Sequence, residues 1–559
     1  MFHQQALRRL SRSAADETSL ETFRNPILPG FNPDPSIIRV KKDYFLTTSS
    51  FEYTPGAPIY HSTDLIQWTL IGHALTRKSQ LDIKAPEPGG GVWACTLRYH
   101  DGWFYLTTCV WDRYRPQDSY ERAWPQGFYV KTKDIWNSDS WSDPVYFDQP
   151  GFDQDLFWDD DGKVYLSTTH RKVDRDPDSK LKDQGVHICT IGLETGDSAS
   201  QSTLVRESRV GDGVAEGSHI FKKGKYYYLF TAEGGTESGH SEFCFRSEKS
   251  PLGPWEACPH NPLVHNNTND EVQNTGHCDF VEDVEGHWWA VCLAVRPLKT
   301  ETGWTPSVFG RESFLVPVSW SDDEWPELNH GRPIALQTVA PARGIYMYDQ
   351  PTKWSETFNS PKLQLGWYRK NTAVKPDSDC TLTARPGYLR LYGGPFRLNK
   401  PNSPTALFRK QLHRQGVWRA KLSFEPGSTN CEAGTAVYMD YFTWSSIGVR
   451  RASSGVRQVV LTLAEGEVVS ADLKTDDAEI VLAIECQESM YRFGFEEAVK
   501  TDKNSTEGGF QWLGETSTET MTRYPPVGLP FTGMMFCLYS FGEMQRSPTP
   551  ADFAFAEFM

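Results

Sequence analysis

The sequence predicts an all-β protein, a five-bladed β-propeller followed by a β-sandwich. Three observations lead there. Five segments repeat one pattern, a polar turn and then an aromatic, β-rich strand, at a spacing near sixty residues. Strand-type alternation continues beyond residue 358 but without that period. At 559 residues, with 44 Gly and 36 Pro, the chain exceeds what one hydrophobic core usually serves, so two turn-rich domains are expected.

The repeating segments are KKDYFLTTSS (41–50), HDGWFYLTTCV (100–110), DDGKVYLSTTH (160–170), KKGKYYYLFTA (222–232) and VEGHWWAVCLA (284–294). Their turn positions, Lys42, Gly102, Gly162, Gly224 and Gly286, are separated by 60, 60, 62 and 62 residues. Downstream, YHSTDLIQW (60–68), KTKDIWNSDSW (131–141) and RSEKSPLGPW (246–255) each add a strand, a turn and a closing tryptophan. Units of this length, built from four short strands, read as propeller blades. The division is an N-terminal extension (1–25), the propeller (26–340), a linker (341–357) and the C-terminal sandwich (358–559). The sandwich reading rests on alternating stretches such as GVWRAKLSFEP (416–426) and RQVVLTLAEGEVV (457–469). The short linker, poor in Ser and Gly, predicts a sandwich packed on the propeller.

A net charge of −15 argues against nucleic acid and anionic membrane as partners, since both select clustered Lys and Arg. No apolar run reaches the length of a membrane-spanning helix. The aromatic surplus, 19 Trp, 23 Tyr and 31 Phe, suits a neutral sugar, whose C–H faces pack on rings. The first 21 residues lack the apolar stretch of a signal peptide. Sequons at Asn266 and Asn504 are compatible with secretion. The expected compartment is extracellular, with cytoplasmic as the alternative. Eleven scattered cysteines without a CxxC indicate neither zinc nor a disulfide framework.

In GFNPDPS (30–36), Asp34 stands between Pro33 and Pro35, which should hold it in an extended backbone. Counting back twelve or thirteen residues from each aromatic strand reaches Asp34, Trp93, Asp153, Glu216 and His277. The innermost strand of each blade lines a central channel, so residues at one phase form a ring around it. Asp34, Asp153 and Glu216 are then expected to converge on one pocket. Three carboxyl groups suffice for glycoside hydrolysis, where one donates a proton and another handles water. Acidic clusters also bind calcium. Asp155, Asp159, Asp160 and Asp161 are read as structural acids around a DDDG hairpin turn.

NPDPS, SSFEYTPGAPIYHSTDLIQW, GGVWACTLRYHDGWFYL, GFDQDLFWDDDGKVYLS, AEGSHIFKKGKYYYLF and FGRESFLVPV, in this order, resemble glycoside hydrolase family 43. More narrowly, they resemble its two-domain fungal xylosidases and arabinofuranosidases. EAGTAVYMDYFTWSSIGVRR and TGMMFCLYSFG resemble the concanavalin-like domain that accompanies them. The resemblance implies a five-bladed propeller and an inverting, single-displacement mechanism. It implies Asp34 as general base, Glu216 as general acid, and Asp153 as the group that raises and orients Glu216. It also implies that Phe51 and Trp93 wall the terminal sugar, that Arg311 contacts its hydroxyls, and that the sandwich lends a loop to the rim. His277 would sit on the axis facing water or a structural calcium ion; no other cofactor is expected. The chain departs from the family in WACT for WAPT, FEYTPG for FEWFPG, and a long rim stretch at 111–130.

The expected activity is exo-acting release of α-L-arabinofuranose side groups from arabinoxylan. The alternative is release of terminal β-D-xylose from xylooligosaccharides, or both. A non-catalytic arabinoxylan-binding propeller would keep the aromatic residues without needing all three acids.

Overall fold

The structure, a computed structural model, describes residues 22–112, 123–301, 303–339, 352–373, 375–474, 478–497 and 509–559. Half of the 111–130 stretch (113–122) and the Asn504 sequon therefore lie outside the described residues.

Five four-stranded antiparallel sheets follow one another in chain order, over residues 36–75, 91–150, 152–207, 215–257 and 273–328. Their first strands are Ser36–Val40, Gly91–His100, Phe152–Trp158, Ala215–Lys223 and Gln273–Glu282. Each of these packs against the first strand of the next sheet, and the fifth meets the first, so the sheets close into a ring. The repeat segments form the second strands. The hairpins before them place Gly102, Gly162, Gly224 and Gly286 in the left-handed region, which side chains resist.

A separate apolar layer fills each of the five gaps between neighbouring sheets. Leu46 and Ile37 meet Val291 and Leu315 between the first and fifth sheets. Ile59 and Leu75 meet Leu97 and Leu106 between the first and second. Residues such as Leu156, Val186 and Phe230 serve the other three gaps. The ring is tied shut by Thr22–Arg24, which pairs with Gln337–Val339, and by the Asn25 carboxamide, which bonds Leu315 on both its faces.

The C-terminal part is a sandwich of two antiparallel sheets. One runs through six strands from Ala406–Lys410 to Val468–Asp472. In the other, Ala551–Phe558 lies between Leu389–Leu391 and Gly416–Ser423. Trp354–Glu356, within the stretch read as linker, also pairs with Ala551–Phe558. Trp418 stacks on Phe536 at 4.9 Å in the core between the sheets, and its indole N–H reaches Thr435 at 2.8 Å.

The two parts are joined by backbone as well as by side chains. Tyr53–Thr54 pairs with Arg369–Lys370, and the Leu529 and Met534 N–H groups donate to Pro88 and Val308 carbonyls at 2.8 Å each. One apolar cluster spans both, with Phe51, Tyr53 and Trp93 against Tyr368, Phe408 and Phe531.

Two expectations change here. Asn266 is only 2% exposed, and its amide group donates to the Val272 and Ile334 carbonyls. This sequon is a structural clamp that no glycan could reach in the folded chain. Asp155 does not belong with the DDDG turn. It lies on an inner strand with its carboxylate in the channel, whereas Asp159 and Asp160 bind Lys222 at the hairpin.

Candidate active site

Four of the five inner strands carry a backbone irregularity near their start. Antiparallel register breaks between Trp93 and Thr96, Phe152 and Asp155, Glu216 and His219, and Gly276 and Asp279. A residue of positive φ sits in each break: Ala94 at 39°, Asp153 at 56°, Gly217 at 56° and His277 at 50°. Asp34, at 53°, holds the equivalent place two residues before Ser36 begins to pair. Bulges of this kind re-aim side chains at the rim of a sheet. Asp34 is therefore left-handed, not extended as its prolines suggested; aspartate tolerates that region better than most residues.

The count along the sequence is corrected by the same feature. The structural equivalents of Asp34 are Ala94 and Gly217, one residue after Trp93 and Glu216. Trp93 and Glu216 still reach the same cavity, because the bulge turns the residue before it inward as well. Position 217 favours glycine. Its φ is left-handed, and a Cβ there would lie 3.0 Å from the His277 ring.

A cavity of about 290 Å³ gathers every residue singled out from the sequence: Asp34, Asp153, Glu216, Phe51, Trp93, Arg311 and His277. The Asp34 carboxylate accepts from the Ser49 hydroxyl at 2.5 Å and from Arg311 Nη1 at 3.1 Å. His277 Nδ1 lies 3.6 Å from the same carboxylate. Arg311 Nη1 also donates to Thr236, while its Nε and Nη2 groups are buried without a protein acceptor. Phe51 approaches the neighbouring strand so closely that Gly91 is needed there; a Cβ at 91 would meet the Phe51 carbonyl at 2.1 Å. Trp93 is fixed by its indole N–H, which donates to the Gly89 carbonyl at 2.8 Å.

Burial raises the Glu216 carboxyl to about 7; Asp34 and Asp212 add to this, and Lys182 and Arg311 oppose it. The Asp153 carboxyl is also pushed well above the ordinary carboxylate range, first by burial and then by Glu216 and Asp34. Burial is thus the larger cause at Glu216, ahead of any neighbouring acid. The His277 imidazole is lowered to about 4 by burial, against the pull of Asp34, and is neutral at pH 7.

One layer deeper on the axis, the Arg98 guanidinium fills the space where a channel cation would sit. Its Nη2 lies 2.8 Å from Asp155 and its Nη1 2.8 Å from Asp279, and Nη2 also lies 2.8 Å from His219 Nδ1. Ser36 donates to Asp279 at 2.6 Å. Both carboxylates are already bound by the guanidinium, and a divalent ion placed beside that cation would be repelled by it. Among the described residues, no three His, Cys, Asp or Glu side chains are grouped to hold a metal ion. The expected calcium does not fit this layer, and His277 keeps Asp34 as its only close carboxylate among the described residues.

Other lining residues escaped the sequence reading: Lys182, Asp212, Thr236 and Glu237 from the propeller loops, and Leu529 and Phe531 from the sandwich. The Phe531 ring lies 5.8 Å from Phe51, 5.4 Å from Trp93 and 4.5 Å from the Arg311 guanidinium carbon. The glycine-rich GGTESG run (234–239) was a visible signal for the first loop; nothing local marked Phe531.

Residues 23–326 match glycosyl hydrolases family 43, and residues 355–559 match the beta xylosidase C-terminal concanavalin A-like domain. The chain is 36% identical over 548 residues to the non-reducing end alpha-L-arabinofuranosidase BoGH43B of Bacteroides ovatus, covering 96% of this chain and 95% of that one. It is 34% identical to a xylan 1,3-beta-xylosidase of a Vibrio species, covering 85% and 88%. A solved structure, Bacteroides ovatus xyloglucan PUL GH43B, superposes with a TM-score of 0.82 at 32% identity, over 96% of this chain and 99% of that one.

Proposed function

The chain belongs to glycosyl hydrolases family 43 and is a glycoside hydrolase, and from that premise we propose that it removes a terminal pentose with inversion. The ring of five sheets is read as the five blades of its propeller. Asp34 is the general base that activates water, Glu216 the general acid that protonates the departing oxygen, and Asp153 the group that orients Glu216. Arg311, which lines the same cavity, binds sugar hydroxyls, and Phe51 and Trp93 wall the ring. One observation carries this reading: acids from three different sheets line a single cavity together with that arginine. A carboxyl raised to about 7 suits an acid that must still hold its proton near neutrality.

The favoured substrate is an α-L-arabinofuranose side group on arabinoxylan. The Bacteroides ovatus relative, named for that sugar and matched over nearly the full length, supports it. The Vibrio relative, named for xylose release, supports the second reading, terminal β-D-xylose from xylooligosaccharides. The test is kcat/KM on aryl α-L-arabinofuranoside against aryl β-D-xyloside, with the first-formed anomer followed by NMR. A ratio above ten for the arabinoside assigns the sugar; net retention would overturn the mechanism.

A further inference from the structure

A second cavity, of about 250 Å³, adjoins the first along the seam between the propeller and the sandwich. The two share Thr236, Glu237, Arg311 and Phe531 as a common wall. Neither part of the chain makes this cavity alone. The fifth sheet contributes Asn274, a hairpin inserted in it contributes Trp304, and the sandwich contributes Met439 and Tyr524.

Three features point to what it holds. Trp304 stands on a small hairpin, Leu298–Thr300 with Gly303–Thr305, inserted between the second and third strands of the fifth sheet. The sheet has its four strands without that hairpin. Tyr524, 60% exposed, is held toward the propeller by its hydroxyl, which donates to Glu237 at 2.7 Å. An aromatic ring left this open yet fixed by a hydrogen bond is a ready stacking surface for a sugar face. The charged side chains lining the cavity are Arg311 and Glu237, both in the common wall. That favours a neutral ligand, and the volume suits about one or two sugar rings.

We propose that this second cavity binds a sugar unit of the polymer beyond the one being released, held between Trp304 and Tyr524. The inference rests on the glycosidase reading of the first cavity and adds to it the part of the substrate that stays behind. The first cavity takes one terminal pentose. A hemicellulose oligosaccharide presents further rings next to it, and the seam is where they lie. An aryl pentoside has no second sugar and leaves this cavity unused.

The test compares full-length wild type, Trp304→Ala and Tyr524→Ala on an aryl pentoside and on arabinoxylan-derived oligosaccharides. Both variants are expected to keep kcat/KM on the aryl pentoside within two-fold. On oligosaccharides KM should rise about ten-fold with kcat unchanged, the scale of one lost stacking contact. An oligosaccharide KM within two-fold of wild type in both variants would overturn the proposal, as would equal losses on both substrates. A wild-type enzyme inert on every aryl pentoside would instead count against the reading of the first cavity.

Discussion

Asp153 Oδ2 accepts a hydrogen bond from the backbone N–H of Gly217 at 2.8 Å. The acid of the third sheet is thereby fastened to the peptide directly after Glu216, the acid of the fourth. Two carboxyl groups from different sheets are set relative to one another by main chain, with no flexible side-chain partner between them. Glu216 then points where the bulge directs it, and its titration has a consequence that can be measured.

Glu216 holds its proton up to about pH 7. A general acid acts only while protonated, so kcat/KM is expected to fall on the alkaline side around that pH. In Glu216→Gln the fall should disappear. Turnover should drop about 10²–10⁴-fold on substrates with poor leaving groups, and much less on activated aryl pentosides. An alkaline limb that survives unchanged in the variant would assign the proton to another group.

Arg98 bridges two buried carboxylates from different sheets. Arg98→Met removes the cation that both share and is expected to destabilise the fold by about 3–5 kcal/mol, read as a lowered midpoint in urea. The Asp279 carboxyl is held at about 2 because Arg98 and His219 outweigh its burial. Its folded value lies below its unfolded one, so the pairing stabilises the protein above about pH 4. That stability drains away as pH falls toward 2. A wild-type acid transition unchanged by Arg98→Met would contradict the assignment.

With the guanidinium already occupying this layer, dialysis against EDTA is expected to leave both kcat/KM and Tm unchanged. Activity lost on chelation and regained with calcium would show that a metal is held elsewhere in the channel.

Phe531→Ala removes the ring that the sandwich lays over Arg311 and Trp93. Activity on aryl pentosides should fall about ten-fold in kcat/KM, the scale of one desolvated cation–π contact with its packing. Phe531→Leu, which keeps bulk, should recover part of it. Full activity in the alanine variant would show that the sandwich does not shape the sugar site.

The ring of sheets was legible because each unit repeats its hairpin glycine and aromatic strand, and such periodicity survives without any tertiary information. Asp34, Asp153 and Glu216 were legible for the same reason. Their exact phase was not. A bulge adds a residue without altering composition, so Trp93 and Glu216 counted as equivalents of Asp34 while the backbone gives that place to Ala94 and Gly217. Asp155 looked like part of an acidic turn because the channel partners that define it, Arg98 and His219, are 57 and 64 residues away. Phe531 was beyond reach on other grounds. Its place depends on how one domain docks on another, through pairs such as Lys370 with Tyr53 that no local pattern encodes.

Ala551–Phe558 is an interior strand of its sheet, with partners on both edges. On the ribosome the earlier strands of that sheet must wait for it, although the propeller upstream has long since emerged. The wall that Phe531 supplies arrives only with that late closure. Hydrolytic competence is therefore expected to follow synthesis of residues 551–558, and nascent chains stalled before residue 551 should hold a formed propeller that turns over substrate poorly.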